Sequence, residues 1–318
     1  MKKALIIALI LLVAGALLVG AGWVLLQKYP TEMNTVKDSV YEYGMDEVPT
    51  QIQITTLESR VELRPTTEDQ WKVACMDKED LYHIVELKDG VLTIKQIDTR
   101  AWYDRIGIFN GFQDLSVIVY LPVQIYESLV IHSVSGSIKV QEGLVFSNAS
   151  LQNTSGSISC SSRVTGSLNI KNTSGSITVD GSVGGNLNVK NTSGSIRIWG
   201  GINGDLNVTN GSGSIEVKNA TPTSATVKNT SGGIDLRDVI CQGNCEISNT
   251  SGSIELERCD ALSFNIVTIS GGIRASLLSA KTFDCHSTSG GIHVPKDGNG
   301  GIFKAKSTSG GIRVTVVD

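Results

Sequence analysis

The residues of this 318-residue chain that could bind a metal ion or act as nucleophiles include six cysteines and four histidines. They are Cys75, Cys160, Cys241, Cys245, Cys259 and Cys285, together with His83, His132, His286 and His293. A structural zinc site needs about four such ligands, usually in two close pairs, and no second pair follows Cys241 and Cys245. No Ser-His-Asp or Cys-His set can be assigned from spacing, although distant residues can meet in a fold. The sequence thus predicts no catalytic residue, no metal site and no cofactor, and it predicts that Cys160, Cys245 and Cys285 are small buried apolar residues.

Two polar patterns could still bind ligands. The stretch "GGINGDLNV" (residues 200–208) approaches the calcium-binding nonapeptide of β-rolls, but Asn203 stands where that pattern needs glycine, so we expect no calcium site. Lys171, Lys190, Lys228 and Lys306 share one outward column. An anionic wall polymer could bind this stripe, whereas the simpler interpretation is a solvated face that discourages association between sheets.

The elements that would position these residues come from a repeat. The stretch "NTSGSI" at residues 153–158 returns unchanged at 172–177, 191–196 and 249–254. Its glycine recurs every 19 or 20 residues, at Gly136, Gly156, Gly175, Gly194, Gly213, Gly232, Gly252, Gly271, Gly290 and Gly310. A fixed short period is the signature of a repeat architecture, in which each copy buries its apolar side against its neighbours.

Each copy contains two short stretches with apolar residues at alternate positions, such as Ile177 with Val179 and Leu187 with Val189. Alternation places these side chains inside and the polar side chains between them outside. We therefore predict an all-β fold, in which residues 135–318 form a single-stranded parallel β-solenoid of 19–20-residue coils. Parallel crossovers are nearly always right-handed, so a right-handed β-helix is expected.

The "NTSGSI" stretch is predicted to be the corner between the second strand of one coil and the first strand of the next. Glycine allows a backbone angle that other residues resist. By alternation one asparagine of each corner faces inward, and we expect these to stack as a ladder in which each amide bonds the next. Its members are Asn153, Asn172, Asn191, Asn210, Asn229 and Asn249. The alternative, glycosylation at N-T-S, requires asparagines that point outward.

Residues 51–134 contain short strand-like runs, and we expect them to form less regular coils that cap the solenoid, since an open end would expose unpaired backbone. A long insertion at residues 98–114 interrupts them. It is rich in the arginine and aromatic side chains that dominate binding interfaces, namely Arg100, Trp102, Tyr103, Arg105, Phe109 and Phe112. These residues are a candidate partner contact; the alternative is that they plug the end of the solenoid.

The amino-terminal residues predict a membrane anchor. A 23-residue run without charge, Ala4–Leu26, is long enough to span a bilayer as a helix. Lys2 and Lys3 precede it, which places a cytoplasmic stub at residues 1–3 and the bulk of the chain outside the cell membrane. A cleaved signal peptide is the alternative, although its apolar region is usually shorter. Residues 27–50 are polar and are predicted to be a juxtamembrane spacer.

The net charge of −4 gives no general attraction to nucleic acid, and coils of constant length leave no walls for a catalytic cleft. The serial SG-x-I turns, with the preceding "VIVYLPVQIYESLVIHSVSGSI" (residues 117–138), resemble the bacterial putative adhesin family of β-strand-repeat proteins. The resemblance covers about residues 50–318 and implies a non-enzymatic binding or scaffold role in the cell envelope, with an envelope polymer or surface protein as partner. A β-helix carbohydrate-active enzyme and an accessory or sensor protein of an envelope stress response are the alternatives. The sequence leaves the oligomeric state open.

Overall fold

A computed structural model describes residues 37–42, 48–101 and 115–317. The predicted anchor Ala4–Leu26 and five of the six predicted contact residues of the insertion lie outside these ranges. Within them all regular secondary structure is β, which confirms the predicted fold class. The described residues include no helix that is long and apolar enough to cross a membrane.

The amino-terminal strands are of ordinary length, and most show the alternating burial that their sequences predict. Their bounds are β1 (Lys37–Glu42), β2 (Gln51–Thr56), β3 (Arg60–Thr66), β4 (Lys72–Asp77), β5 (Leu81–Lys88), β6 (Val91–Asp98), β7 (Ser116–Pro122) and β8 (Ile125–Ser135).

In the repeats most coils have a short first strand and a longer second strand, and one coil has an additional two-residue strand. The first of these strands are β9 (Ile138–Val140), β10 (Val145–Ser155), β11 (Ile158–Cys160), β12 (Arg163–Val164), β13 (Leu168–Ser174), β14 (Ile177–Val179), β15 (Leu187–Ser193), β16 (Ile196–Ile198), β17 (Leu206–Ser212) and β18 (Ile215–Ala220). The carboxyl-terminal half continues with β19 (Ala225–Ser231), β20 (Ile234–Val239), β21 (Asn244–Ser251), β22 (Ile254–Cys259), β23 (Ser263–Ser270), β24 (Ile273–Leu277), β25 (Thr282–Ser289), β26 (Ile292–His293), β27 (Ile302–Ser309) and β28 (Ile312–Val316).

The strands form two long sheets that enclose one core. The first sheet has the order β1-β4-β7-β3-β9-β11-β14-β16-β18-β20-β22-β24-β28-β26, and the second has the order β25-β27-β23-β21-β19-β17-β15-β13-β10-β8-β2-β6-β5. Coils stack in parallel with equivalent residues opposite each other, as Leu168, Leu187 and Leu206 illustrate. All three are fully buried. This is the predicted parallel β-solenoid.

The amino-terminal end is closed by strands that run against the coils. β4 pairs antiparallel with β7 and with β1, and β5 pairs antiparallel with β6. The first coil, β2 with β3, lies one layer inward, because β2 pairs with both β6 and β8. Trp71 and Tyr126 are fully buried among the core residues of this region.

At the carboxyl-terminal end the coils do not follow the order in which the repeats occur in the sequence. β27 pairs with β23 on one side and β25 on the other, and β28 likewise lies between β24 and β26. The last coil is therefore inserted between its two predecessors. The coils at this end are therefore not stacked in the order of the sequence.

The corners have the predicted glycine geometry. All ten SG-x-I glycines have positive φ, from 107° at Gly136 to 154° at Gly290. A Cβ on Gly194 would lie 2.3 Å from the carbonyl oxygen of Gly175 in the preceding coil. Glycine is thus required both by the backbone angle and by the close approach of neighbouring coils.

The inward asparagines are buried as predicted, but the expected amide-to-amide bond is wrong. Asn191 Nδ2 instead donates to the carbonyl oxygens of Gly175 (3.0 Å) and Gly194 (3.2 Å). Asn172 and Asn229 bridge their corner glycines in the same way. The Oδ1 atom of each buried asparagine has no hydrogen-bond partner among the described residues. The ladder therefore alternates asparagine amides with glycine carbonyls.

Candidate functional site

A buried polar network lies in the amino-terminal cap, where four segments bring inward-facing polar residues together. Asp77 ends β4, His83 is on β5, Gln96 is on β6, and Ser59 precedes β3. His83 Nδ1 lies 2.5 Å from Asp77 Oδ1, and His83 Nε2 lies 3.1 Å from Ser59 Oγ. Gln96 Nε2 donates to Ser59 Oγ at 2.8 Å. All four residues are buried.

The hydrogen-bond donors of the network can be assigned from its geometry. Gln96 Oε1 accepts the backbone N–H groups of Leu57 and Glu58, which fixes its Nε2 as the donor to Ser59. Ser59 Oγ accepts that bond and lies within hydrogen-bond distance of His83 Nε2, and His83 Nδ1 donates to Asp77, because a carboxylate oxygen only accepts. This is the connectivity of a hydrolase triad. Ser59, however, is 0% exposed, so no substrate can reach its hydroxyl in this conformation.

The same cluster contains three potential metal ligands. Ligand atoms of Cys75, Asp77 and His83 all lie within 4.8 Å of one another. Two ligand atoms on one zinc ion would be about 3.3 Å apart, given bonds of about 2.0 Å and tetrahedral geometry. The 2.5 Å contact between His83 and Asp77 is therefore a hydrogen bond. Burial and the nearby Asp77 carboxylate raise the pKa of the Cys75 thiol to about 12, so Cys75 is protonated at neutral pH. The described geometry fits a hydrogen-bonded network better than a metal centre.

Arg100, the one described member of the predicted partner contact, is held by two carboxylates. Its guanidinium group bonds Asp98 at 2.9 Å and Glu58 at 2.6 Å, and its side chain is only 10% exposed. These hydrogen bonds raise the pKa of Arg100. Arg100 thus links the end of β6 to the segment before β3. Trp102, Tyr103, Arg105, Phe109 and Phe112 lie outside the described residues, so their role as a contact stays a prediction.

The cysteines are free thiols in largely apolar surroundings. Cys160 and Cys245 are buried, and Cys285 is half-buried in the terminal coil. The pKa of the Cys245 thiol is raised well above its usual range, chiefly by a hydrogen bond with Cys241 and by burial. Protonated, buried thiols are poor nucleophiles and poor metal ligands.

A groove lies on the outer face of the first sheet near its carboxyl-terminal end. It has a volume of about 450 Å³ and is lined by the side chains of Glu255, Arg274, Arg313 and His293. Its floor is the backbone of the corner residues Ser253, Gly272, Gly311 and Gly291. Arg274 is opposite Arg313 in the strand register, and Arg313 is opposite His293. Neither arginine makes an ion pair with another described residue.

The sequence profile of the family described as Toastrack DUF4097 matches residues 50–239 and 223–318. The chain belongs to this family. The match covers both the cap and the repeats, and it confirms the resemblance that the SG-x-I turns indicated. The predicted Asn ladder and both clusters described above therefore lie inside the Toastrack region.

Several solved structures are similar to this Toastrack chain at low identity. One is called a putative lipid binding protein from Parabacteroides distasonis, with 13% identity, 89% of this chain and 97% of that chain covered, and a TM-score of 0.43. A putative adhesin from the same organism has 15% identity, covers 88% and 97%, and has a TM-score of 0.37. A putative adhesin from Bacteroides fragilis has 12% identity, covers 89% and 99%, and has a TM-score of 0.36. Among proteins with curated functions, none matches the Toastrack chain.

Two signals in the sequence could have found the clusters of this Toastrack chain. In the cap, Asp77, His83 and Gln96 occupy positions where strand alternation calls for an apolar residue, which marks buried polar partners. In the repeats, the last three corners read SGGIR, SGGIH and SGGIR, whereas most earlier corners have serine before the isoleucine. At these three corners glycine replaces serine two residues before a basic side chain, and the missing serine side chains leave room for a groove.

Proposed function

We propose that this chain is a non-enzymatic binding or scaffold protein of the bacterial cell envelope. In this proposal Ala4–Leu26 anchors it in the membrane as a single span, and residues 31–318 lie on the outer side. The partner is an envelope polymer or a surface protein.

The observation that supports the proposal is the in-register repetition of the outer faces. Equivalent positions of neighbouring coils are directly opposite, so that Lys171 is beside Lys190, and Asn169, Asn188 and Asn207 form a hydrogen-bonded row. Neighbouring strands are about 4.8 Å apart, so parts of the surface present the same group on consecutive coils at a constant interval. Such a surface fits an extended, repetitive partner better than a small substrate.

The enzymatic alternative has one observation in its favour, the hydrogen-bonded set of Ser59, His83 and Asp77. A nucleophile has to meet its substrate, and Ser59 is buried. A fluorophosphonate probe separates the two functions. We expect no labelling of Ser59 in the native full chain, and labelling that is lost in Ser59→Ala would support the enzyme.

Binding is tested with the full chain, purified in a non-ionic detergent, against the envelope fraction of the organism that makes it. We expect the chain to sediment with the envelope material and to be released by salt, because the outer faces are polar and charged. Heat-denatured chain is the control for nonspecific adsorption. Equal recovery with and without envelope material would contradict the proposed function.

The membrane arrangement is tested with protease added to intact spheroplasts. We expect digestion of the repeats, because the lysines before the apolar run keep only the amino terminus inside. Protection of the repeats until the membrane is lysed would reverse the proposed topology.

A further inference from the structure

The groove at the carboxyl-terminal end combines an open floor with unpaired positive charge. Most of the repeat corners have the sequence SGSI, and in the groove glycine replaces the second serine at Gly272, Gly291 and Gly311. A Cβ at Gly272 would meet only the carbonyl oxygen of Gly311, at 3.4 Å. No side chain of another strand lies within 4 Å of that position, whereas a Cβ at Gly291 would meet the His293 ring at 3.6 Å.

The charges on this sheet are paired in the middle and unpaired at the groove. Arg197 pairs with Glu216 at 3.8 Å, and Arg237 pairs with Asp235 at 2.8 Å. Arg274 and Arg313, by contrast, face each other across neighbouring strands and have no ion-pair partner among the described residues. Like charges directly opposite in a sheet are destabilising, so this pair has an energetic cost that an anion would remove.

The order of the coils creates the arginine pair. In sequential stacking His293 would separate Arg274 from Arg313. Because β28 is inserted between β24 and β26, the two arginines become neighbours and His293 follows at the edge. Glu255 lies on the other side of Arg274, so Arg313 is the groove arginine on the strand farther from this carboxylate.

We propose that this groove binds a phosphate group of an extended phosphodiester ligand, with Arg274 and Arg313 as its principal contacts. Guanidinium groups bind phosphate through several parallel hydrogen bonds. Neighbouring strands place the two arginines about 4.8 Å apart, and a tetrahedral phosphate can present oxygens to both, whereas a planar carboxylate is matched to one. His293 adds a donor at the next strand. The inference rests on the proposed binding function and names the chemistry of its ligand.

The phosphate could belong to a soluble polymer or to a lipid headgroup, and two probes distinguish these sources. Binding of a fluorescent glycerol phosphate oligomer to the detergent-solubilised full chain is measured by anisotropy. Flotation with phosphatidylglycerol vesicles, compared with phosphatidylcholine vesicles, measures headgroup binding. We expect saturable binding to the oligomer, since the groove crosses several strands and is lined by polar groups.

Three variants locate the site. Arg274→Gln with Arg313→Gln removes the charges, and we expect binding to weaken by roughly tenfold or more. Gly272→Ser restores the common SGSI corner and keeps both arginines, and it should weaken binding by covering the floor. Gly233→Ser makes the same change at a corner that does not line the groove, where a Cβ would be in ordinary van der Waals contact with Ser253, at 3.8 Å from its carbonyl oxygen. It should bind as the unaltered chain does.

The outcomes separate this inference from the proposed function. Loss of oligomer or vesicle binding in both groove variants, with Gly233→Ser unchanged, supports the phosphate site and identifies its source. Absence of binding to both probes, or equal binding by all variants, overturns it. If the chain still binds the envelope fraction in that case, the phosphate site fails while the proposed function stands.

Discussion

At the scale of single residues, the inward asparagines connect consecutive coils through the backbone. Each amide nitrogen reaches the carbonyl oxygen of a corner glycine in the preceding coil, as Asn191 reaches Gly175 and Asn210 reaches Gly194. These carbonyls are at a corner, where the regular ladder between strands is interrupted. A buried acceptor left without a partner costs about 1–3 kcal/mol, so the amide stabilises the corner by giving the glycine carbonyl a donor, without a hydrogen bond to another asparagine. In the terminal coils serine takes this role, since Ser307 Oγ donates to Gly271.

Replacing one asparagine tests this interpretation. Asn191→Leu should destabilise the chain by about 1–2 kcal/mol, because Gly175 and Gly194 each lose one donor but keep another from Asn172 and Asn210. Asn191→Asp should cost more, since it keeps the shape but sets a buried carboxylate against two carbonyl oxygens. Chemical denaturation of the full chain measures both.

The matched control is Lys190→Ala, one residue away on the exposed outer face. It should change stability by less than about 0.5 kcal/mol. Asn191→Asp as stable as Asn191→Leu would contradict the assignment of Nδ2 as the donor to the glycine carbonyls.

At the scale of the structural element, the corner is set by glycines that no other residue can replace. Gly194 has a φ of 118°, and a Cβ at this position would lie only 2.3 Å from the carbonyl oxygen of Gly175. Gly201, by contrast, is on the bend between β16 and β17, and a Cβ there would meet nothing within 4 Å. The two glycines are close together in the sequence of one coil, yet only Gly194 is a structural requirement.

This difference gives a paired prediction. Gly194→Ala should destabilise the chain by about 3 kcal/mol or more, because the backbone angle is strained for alanine and the coils must separate to admit the methyl group. Gly201→Ala should leave stability within about 1 kcal/mol, or raise it slightly by restricting the unfolded chain. Thermal melting of the two variants is the measurement. Similar melting temperatures would mean that the corner glycine is not constrained as described.

The sequence predicts the elements well and their partners less well. The 19–20-residue period predicts the length of the coil and the position of its corner. The alternation of residues such as Ile177 and Val179 predicts which side chains face the core and which face solvent. Alternation states only that Asn191 is inside, and it does not distinguish a neighbouring amide from a neighbouring carbonyl as its partner. The cap network was missed for a similar reason, since Ser59 and His83 are 24 residues apart and meet only when β4 and β5 fold back on the coils.

At the scale of the whole molecule, the order of the coils is information that the repeat cannot supply. Every coil has the same apolar columns and the same corner. The last coil can therefore pair in register with any other coil, and its strand β27 lies between β23 and β25. Both ends of the solenoid use this freedom, because the first coil is also covered by the layer that follows it in sequence. The first and last coils in the sequence are thereby paired on both sides. At the carboxyl-terminal end the edge strands are β25 and β26.

The coil order is tested by pairs of cysteines on the outer face of the second sheet. Val267 is opposite Lys306, and Lys306 is opposite His286, so His286 is two strands from Val267. Neighbouring strands are about 4.8 Å apart, whereas positions two strands apart are separated by about 9.6 Å. A disulfide requires Cα atoms within about 7 Å.

In a Cys285→Ser background, Val267→Cys with Lys306→Cys should therefore form a disulfide on mild oxidation, and Val267→Cys with His286→Cys should not. Peptide mapping of the full chain under non-reducing conditions distinguishes the two products. The reverse result would show that the repeats stack in sequence order, and it would also separate Arg274 from Arg313.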